Sequence, residues 1–164
     1  MRTRFFILAI FVSVTFACSN ENKQPAESAN QAIVESKDID QEYADSLVQY
    51  VTLKNSLVQS DPAAASSAAK ALEQSLQDEA LIALAKAINA TDNLESQREL
   101  FGDLSDHFIN TLKVAHHGSK LYVQYCPMAF DNAGASWLSL SDEIENPYFG
   151  DQMLHCGTVD EVLE

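Results

Sequence analysis

Asp92-Asn93-Leu94-Glu95-Ser96-Gln97-Arg98-Glu99-Leu100-Phe101-Gly102-Asp103-Leu104-Ser105-Asp106-His107-Phe108-Ile109-Asn110-Thr111-Leu112-Lys113-Val114-Ala115-His116-His117-Gly118 carries the pattern that sets the fold class. Leu94, Phe101, Leu104, Phe108 and Leu112 recur at the spacing that lays one apolar stripe along a helix. Asp92 followed by Glu95 has the spacing of a capping box at the start, with Asp in place of Ser or Thr. His116-His117-Gly118 supplies a glycine for a left-handed cap, so the helix is expected to end near Ala115.

Three further helices precede it. One is expected over about Asp78 to Asn89, with Leu81, Leu84 and Ile88 on its inner face. Upstream, Asp61-Pro62 is a start signal, since Asp suits the N-cap and Pro the first helical position. The alanine-rich helix that follows turns Ala65, Ala68, Ala69, Leu72 and Leu76 inward, and these small side chains let a neighbour approach closely. The first helix runs from Asp38 to about Gln59, with Tyr43, Leu47, Tyr50, Val51, Leu57 and Val58 on a broad stripe. Four helices with connections of a few residues predict a mainly α fold, an up-and-down antiparallel bundle. At 164 residues there is room for one domain with a real core.

Beyond Gly118 the pattern changes. Leu121-Tyr122-Val123-Gln124-Tyr125 leans to β, Asp131-Asn132-Ala133-Gly134 reads as a turn, and Trp137-Leu138 requires burial. A small irregular hook over about residues 119–160, packed on the bundle, satisfies all three. It also holds the sulfur: apart from Met1 and Cys18, every sulfur atom lies in Cys126, Met128, Met153 and Cys156. Pro127 favours an extended backbone at Cys126, which would point Cys126 and Met128 to one side. Met153 and Cys156 share a face if they occupy a helical turn. Two thiols and two thioethers form a soft ligand set that suits Cu(I) far better than Mg, Ca or Mn.

At the other end, Met1 to Ala17 has two arginines and the apolar run Phe5 to Val14, the pattern of a secretory leader. It stops at Thr15-Phe16-Ala17-Cys18, which resembles a bacterial lipoprotein cleavage box with Cys18 as the lipidated residue. Residues 18–37 are polar and read as a flexible tether. The expectation is an extracytoplasmic, periplasmic protein joined to a membrane by its lipid. With 10 basic and 24 acidic residues the formal charge is −14, which argues against nucleic acid and anionic lipid surfaces as partners. No Gly-rich phosphate loop, His-Glu-x-x-His pair or nucleophile elbow occurs, so no enzyme is expected.

The segments Leu121 to Ala129, Gly134-Ala135, Trp137-Leu138-Ser139, Ile144, Asn146-Pro147-Tyr148-Phe149-Gly150, Met153-Leu154 and Cys156-Gly157 resemble an uncharacterised bacterial domain family. That family occurs as lipoproteins and as an extension of HlyD-type adaptor subunits of copper and silver efflux pumps. The resemblance covers roughly Tyr43 to Val159. It implies an association with periplasmic copper or silver handling, with an efflux adaptor or another copper-handling protein as partner.

Two readings of the sulfurs stay open. Cys126 and Cys156 are the two cysteines left once lipidation takes Cys18, and an oxidising compartment would bridge them. A disulfide, however, has no use for Met128 and Met153 beside them, whereas a Cu(I) site does. His155 is a weaker candidate ligand, because adjacent residues on a turn point apart. His107, His116 and His117 read as helix-flank or helix-end residues, and Trp137, Tyr148 and Phe149 as anchors of the hook.

Overall fold

The computed structural model describes residues 41–115 and 120–164. The leader, the Cys18 anchor, the tether, the start of the first helix at Asp38 and the His116-His117-Gly118 cap lie outside these. Each expected helix is present: α1 (Gln41–Val58), α2 (Pro62–Ser75), α3 (Glu79–Asn89) and α4 (Leu94–Ala115). Asp61 caps α2 by accepting the Ala63 and Ala64 N–H groups, both at 3.0 Å. Asp78 does the same for α3, accepting from Ala80 at 2.8 Å and Leu81 at 3.0 Å. Such caps satisfy amide groups that the first helical turn leaves without partners.

One local detail differs from expectation. The N-cap of α4 is Asn93, whose Oδ1 accepts the Ser96 N–H at 2.9 Å, while Thr91 Oγ1 accepts the Asn93 N–H at 3.1 Å. The Asp92–Glu95 capping box therefore does not form, and Glu95 instead approaches Arg98 Nη1 at 3.7 Å. At the end of α1, Ser60 takes the left-handed conformation usual for glycine (φ 56°). The Ser60 N–H bonds to Leu57 O and the Asp61 N–H to Ser56 O, a Schellman arrangement that folds the chain sharply into α2.

Connections of three or four residues make each helix pack on the next, α1 on α2, α2 on α3 and α3 on α4. Leu47, Tyr50, Leu57, Phe101, Leu104 and Phe108 lie buried in one core with Ala65, Ala69, Leu81 and Ile88. The stripe read from α4 thus faces inward along its length. Tyr50 stacks on Phe108 with ring centroids 4.9 Å apart and lies tilted against Phe101 at 5.3 Å. Among the described residues no helix is long and apolar enough to cross a membrane.

The C-terminal region is more regular than a hook. It is a three-stranded antiparallel sheet in the order β2-β1-β3, made of β1 (Leu121–Cys126), β2 (Ala135–Ser139) and β3 (Thr158–Leu163). β1 sits in the middle and is mostly buried, pairing Gln124 with Trp137 on one side and with Val159 on the other. β3 extends past the expected boundary at residue 160 to Leu163, and its side chains are exposed except Leu163. An exposed edge strand with Asp160 and Glu161 has no apolar alternation to betray it, which is why sequence patterning passed over it.

Polar contacts tie the C-terminal region to the bundle. The fully buried Tyr50 hydroxyl lies 2.7 Å from Ser105 Oγ and accepts the Leu138 N–H of β2 at 3.1 Å. The almost fully buried Arg98 donates from Nε to Pro147 O at 3.0 Å, and from Nη2 to Ser60 Oγ at 3.0 Å and Leu57 O at 3.4 Å. Lys54, its side chain 4 % exposed, reaches out of α1 with Nζ 3.1 Å from Glu145 Oε2. Burial lowers the Lys54 pKa, and the charge of Glu145 opposes that shift.

Candidate functional site

Cys126 closes β1, and Cys156 immediately precedes the turn into β3. Because Tyr125 pairs with Thr158, antiparallel pairing carries Cys126 and Cys156 past one another at the end of the sheet. Their sulfur atoms lie 3.4 Å apart. That is contact between two free thiols, since a disulfide bond is about 2.05 Å long. Cys126 is fully buried and Cys156 partly so. The hydrogen bond with Cys126, then burial, then the neighbouring sulfur's charge raise the Cys156 thiol above its ordinary pKa.

The loop that delivers Cys156 is built by Asn146. Its side chain is fully buried, with Oδ1 accepting the Tyr148 N–H at 2.8 Å and the Phe149 N–H at 3.3 Å. Its Nδ2 donates to the Cys156 carbonyl at 2.7 Å. One amide therefore shapes the Asn146-Pro147-Tyr148-Phe149-Gly150 turn and fixes the backbone of Cys156. Gly157 follows at φ 152°, where an added Cβ would stand 2.9 Å from Tyr125 O and 3.0 Å from Trp137 Cη2. Only glycine lets the chain pass this close behind the cysteine. Asn146 carries a positioning role that the sequence showed only as part of a turn.

The methionines are placed differently from expectation. β1 ends at Cys126, and Pro127-Met128 form a turn with Met128 near the helical region (φ −94°, ψ −10°). The extended geometry that would point Cys126 and Met128 the same way is therefore absent. Met153 sits just after a 3-10 turn, Gly150–Gln152, and its carbonyl accepts the Cys156 N–H at 3.0 Å. The expected helical turn is thus a single reverse turn over Met153 to Cys156. Met128, 46 % exposed, and Met153, partly exposed, meet in a groove of about 450 Å³ with Phe130 and Phe149, and neither cysteine lines it. The cysteine sulfurs are in contact, and the two methionines line a separate groove.

His155 is exposed, and its Nδ1 donates to Ile144 O at 2.8 Å. His107 pairs with Asp78 at 3.3 Å on the helix surface. Trp137 is wholly buried, packed edge-on against Tyr148 with centroids 5.8 Å apart, as an anchor of the sheet. Among the described residues no group of three or more His, Cys, Asp and Glu side chains stands together in a way that could hold a metal ion. The donors on hand are the dithiol and, beside it in sequence, the two thioethers.

The chain matches no curated protein and no solved structure. Residues 47–120 match the model of an uncharacterised domain family described as "Protein of unknown function (DUF3347)", a match that spans the helices and stops short of both cysteines.

Proposed function

We propose that this chain is a lipid-anchored, extracytoplasmic binding protein, not an enzyme, whose Cys126–Cys156 dithiol takes up one soft monovalent cation, Cu(I) or Ag(I). The observation that carries the reading is the 3.4 Å approach of two free sulfurs at the mouth of a sheet. Thiolates supply charge and strong bonds to a d¹⁰ ion that accepts few ligands, and the thioethers of Met128 and Met153, which line a separate groove, are the further uncharged donors this reading would recruit. The surrounding body contributes rigidity: Asn146 and Gly157 fix Cys156, and β1 fixes Cys126. Under this reading Cys18 carries the lipid, and a heavy-metal efflux adaptor or another copper-handling protein receives the ion.

A structural disulfide is the second reading. It is favoured by the complete burial of Cys126 and by the short distance left to close. Such a bridge, closing a loop of about 30 residues, would contribute roughly 3 to 4 kcal/mol in the chain-entropy model. Alkylation of protein recovered under native conditions separates the two. The metal reading expects two thiols reactive after mild reduction and both protected when one equivalent of Cu(I) is added. Two thiols that stay equally reactive with and without Cu(I) would end it.

A further inference from the structure

Along α4, Glu95, Glu99, Asp103 and Asp106 fall at intervals of four, four and three residues, all exposed and all on one side of the helix. They form one wall of two adjoining grooves, about 450 Å³ and 380 Å³, which share Glu99 and Phe130. Across from them the larger groove is lined by Met128, Phe130, Phe149 and Met153, with Asp131 and Asn132 beside Phe130. No Lys, Arg or His lines either groove. Arg98 is buried, with Nη1 3.7 Å from Glu95 and its other nitrogens donating to Pro147, Leu57 and Ser60. Desolvation, and then the charge of Asp103, raises the Asp106 pKa.

The apolar side is held in a conformation that side chains rarely adopt. Phe130, Asp131 and Asn132 are consecutive left-handed residues, with φ 52°, 56° and 70°. This brings Phe130 over Gly102, where an added Cβ would lie 2.9 Å from the ring. Surrounding structure must enforce such a run, and segments of this kind gather at binding sites. Here it sets the half-buried Phe130 ring over Gly102 of α4, where the two grooves adjoin.

From this complementarity we infer that the groove is a docking site for an extended segment of a partner protein in which Lys or Arg alternates with apolar residues. Four helical residues rise about 6 Å. Two strand residues rise about 6.6 to 6.8 Å. Basic side chains at alternate strand positions therefore meet Glu95, Glu99 and Asp103 in turn. The intervening apolar side chains face Met128, Phe130 and Phe149. Methionine and aromatic surfaces adapt to varied aliphatic partners, and the carboxylates select against acidic ones. Docking does not require metal on the cysteines.

The test uses metal-free full-length protein and three fluorescein-labelled peptides: alternating Lys-Leu, alternating Lys-Ser and alternating Glu-Leu. Fluorescence anisotropy is expected to show saturable one-to-one binding of the Lys-Leu peptide, at least ten-fold weaker binding of Lys-Ser, and none of Glu-Leu. Glu99→Lys with Asp103→Lys should weaken Lys-Leu binding at least ten-fold, and Met128→Ser should weaken it several-fold. Glu73→Lys with Glu79→Lys makes the same change in net charge away from the groove and should leave binding unchanged. Equal loss in both charge-reversed pairs, equal binding of Lys-Leu and Lys-Ser, or no binding at all would overturn the proposal.

Discussion

Replacing Tyr50 by Phe removes one oxygen atom from the junction of bundle and sheet while keeping the ring that stacks on Phe108 and Phe101. The oxygen serves two buried groups, the Leu138 N–H at 3.1 Å and Ser105 Oγ at 2.7 Å. Leu138 lies in β2, an outer strand, so its N–H has no β-ladder partner to fall back on when the phenol is gone. A buried donor left unpaired costs about 1–3 kcal/mol. Ser105 loses less, because its hydroxyl can turn to a carbonyl one helical turn back. The expected loss is about 2–3 kcal/mol, a large fraction of the stability of a domain of this size. At a urea m-value of about 1.5 kcal/mol/M, the midpoint should fall by about 1.3–2 M. Ser105→Ala, which leaves the Leu138 bond intact, should cost about 1 kcal/mol, and the double variant should fall short of the sum. Equilibrium urea unfolding followed by far-ultraviolet circular dichroism measures all three. A Tyr50→Phe protein within 0.5 kcal/mol of wild type, the scale of an ordinary surface substitution, would refute the role given to this contact.

Arg98→Met should cost about 2–4 kcal/mol in thermal or urea unfolding, because the carbonyls of Pro147 and Leu57 lose their donor in a buried place. Arg98→Lys should recover little of it, since one ammonium cannot span the two sides that the planar guanidinium joins. Cys18→Ala is expected to move the protein from the membrane fraction to the soluble extracytoplasmic fraction without changing its melting temperature, and wild type found soluble would remove the anchor. Cu(I) affinity should rise from about pH 6 to about pH 9, because the metal displaces protons and Cys156 holds its proton above the ordinary thiol range. The same raised pKa makes the reduced protein's gain from this thiol full below the ordinary value and lost as pH rises through the shifted one. A flat affinity profile in competition titrations would contradict proton displacement.

The helices were legible because their signals are local. Asp61-Pro62 and Asp78 are caps whose partners stand two and three residues on, and the stripe Phe101, Leu104, Phe108 needs only helical spacing to be read. The sheet was harder. β1 showed its β-branched and aromatic character, but β3 is exposed on nearly every residue and is held by a register that no local pattern specifies. The cysteines could be paired by counting, and the structure puts them in contact. The methionines could not be placed by counting: a turn at Pro127-Met128 replaces the expected extended backbone and sends Met128 into a groove with Met153. Asn146 and Arg98 escaped notice for a different reason. Their partners lie 10, 38, 41 and 49 residues away, so a buried amide and a buried guanidinium look in sequence like any polar residues.

Anaerobic titration of the reduced protein with Cu(I) against a competing chelator tests the central claim most directly. The account predicts one Cu(I) per chain, with binding abolished or greatly weakened by Cys126→Ser or Cys156→Ser and reduced less by Met128→Leu or Met153→Leu, while Zn(II) competes poorly. Failure of wild type and of the double methionine variant alike to take up Cu(I) would contradict it and leave the cysteine pair a structural element of the sheet.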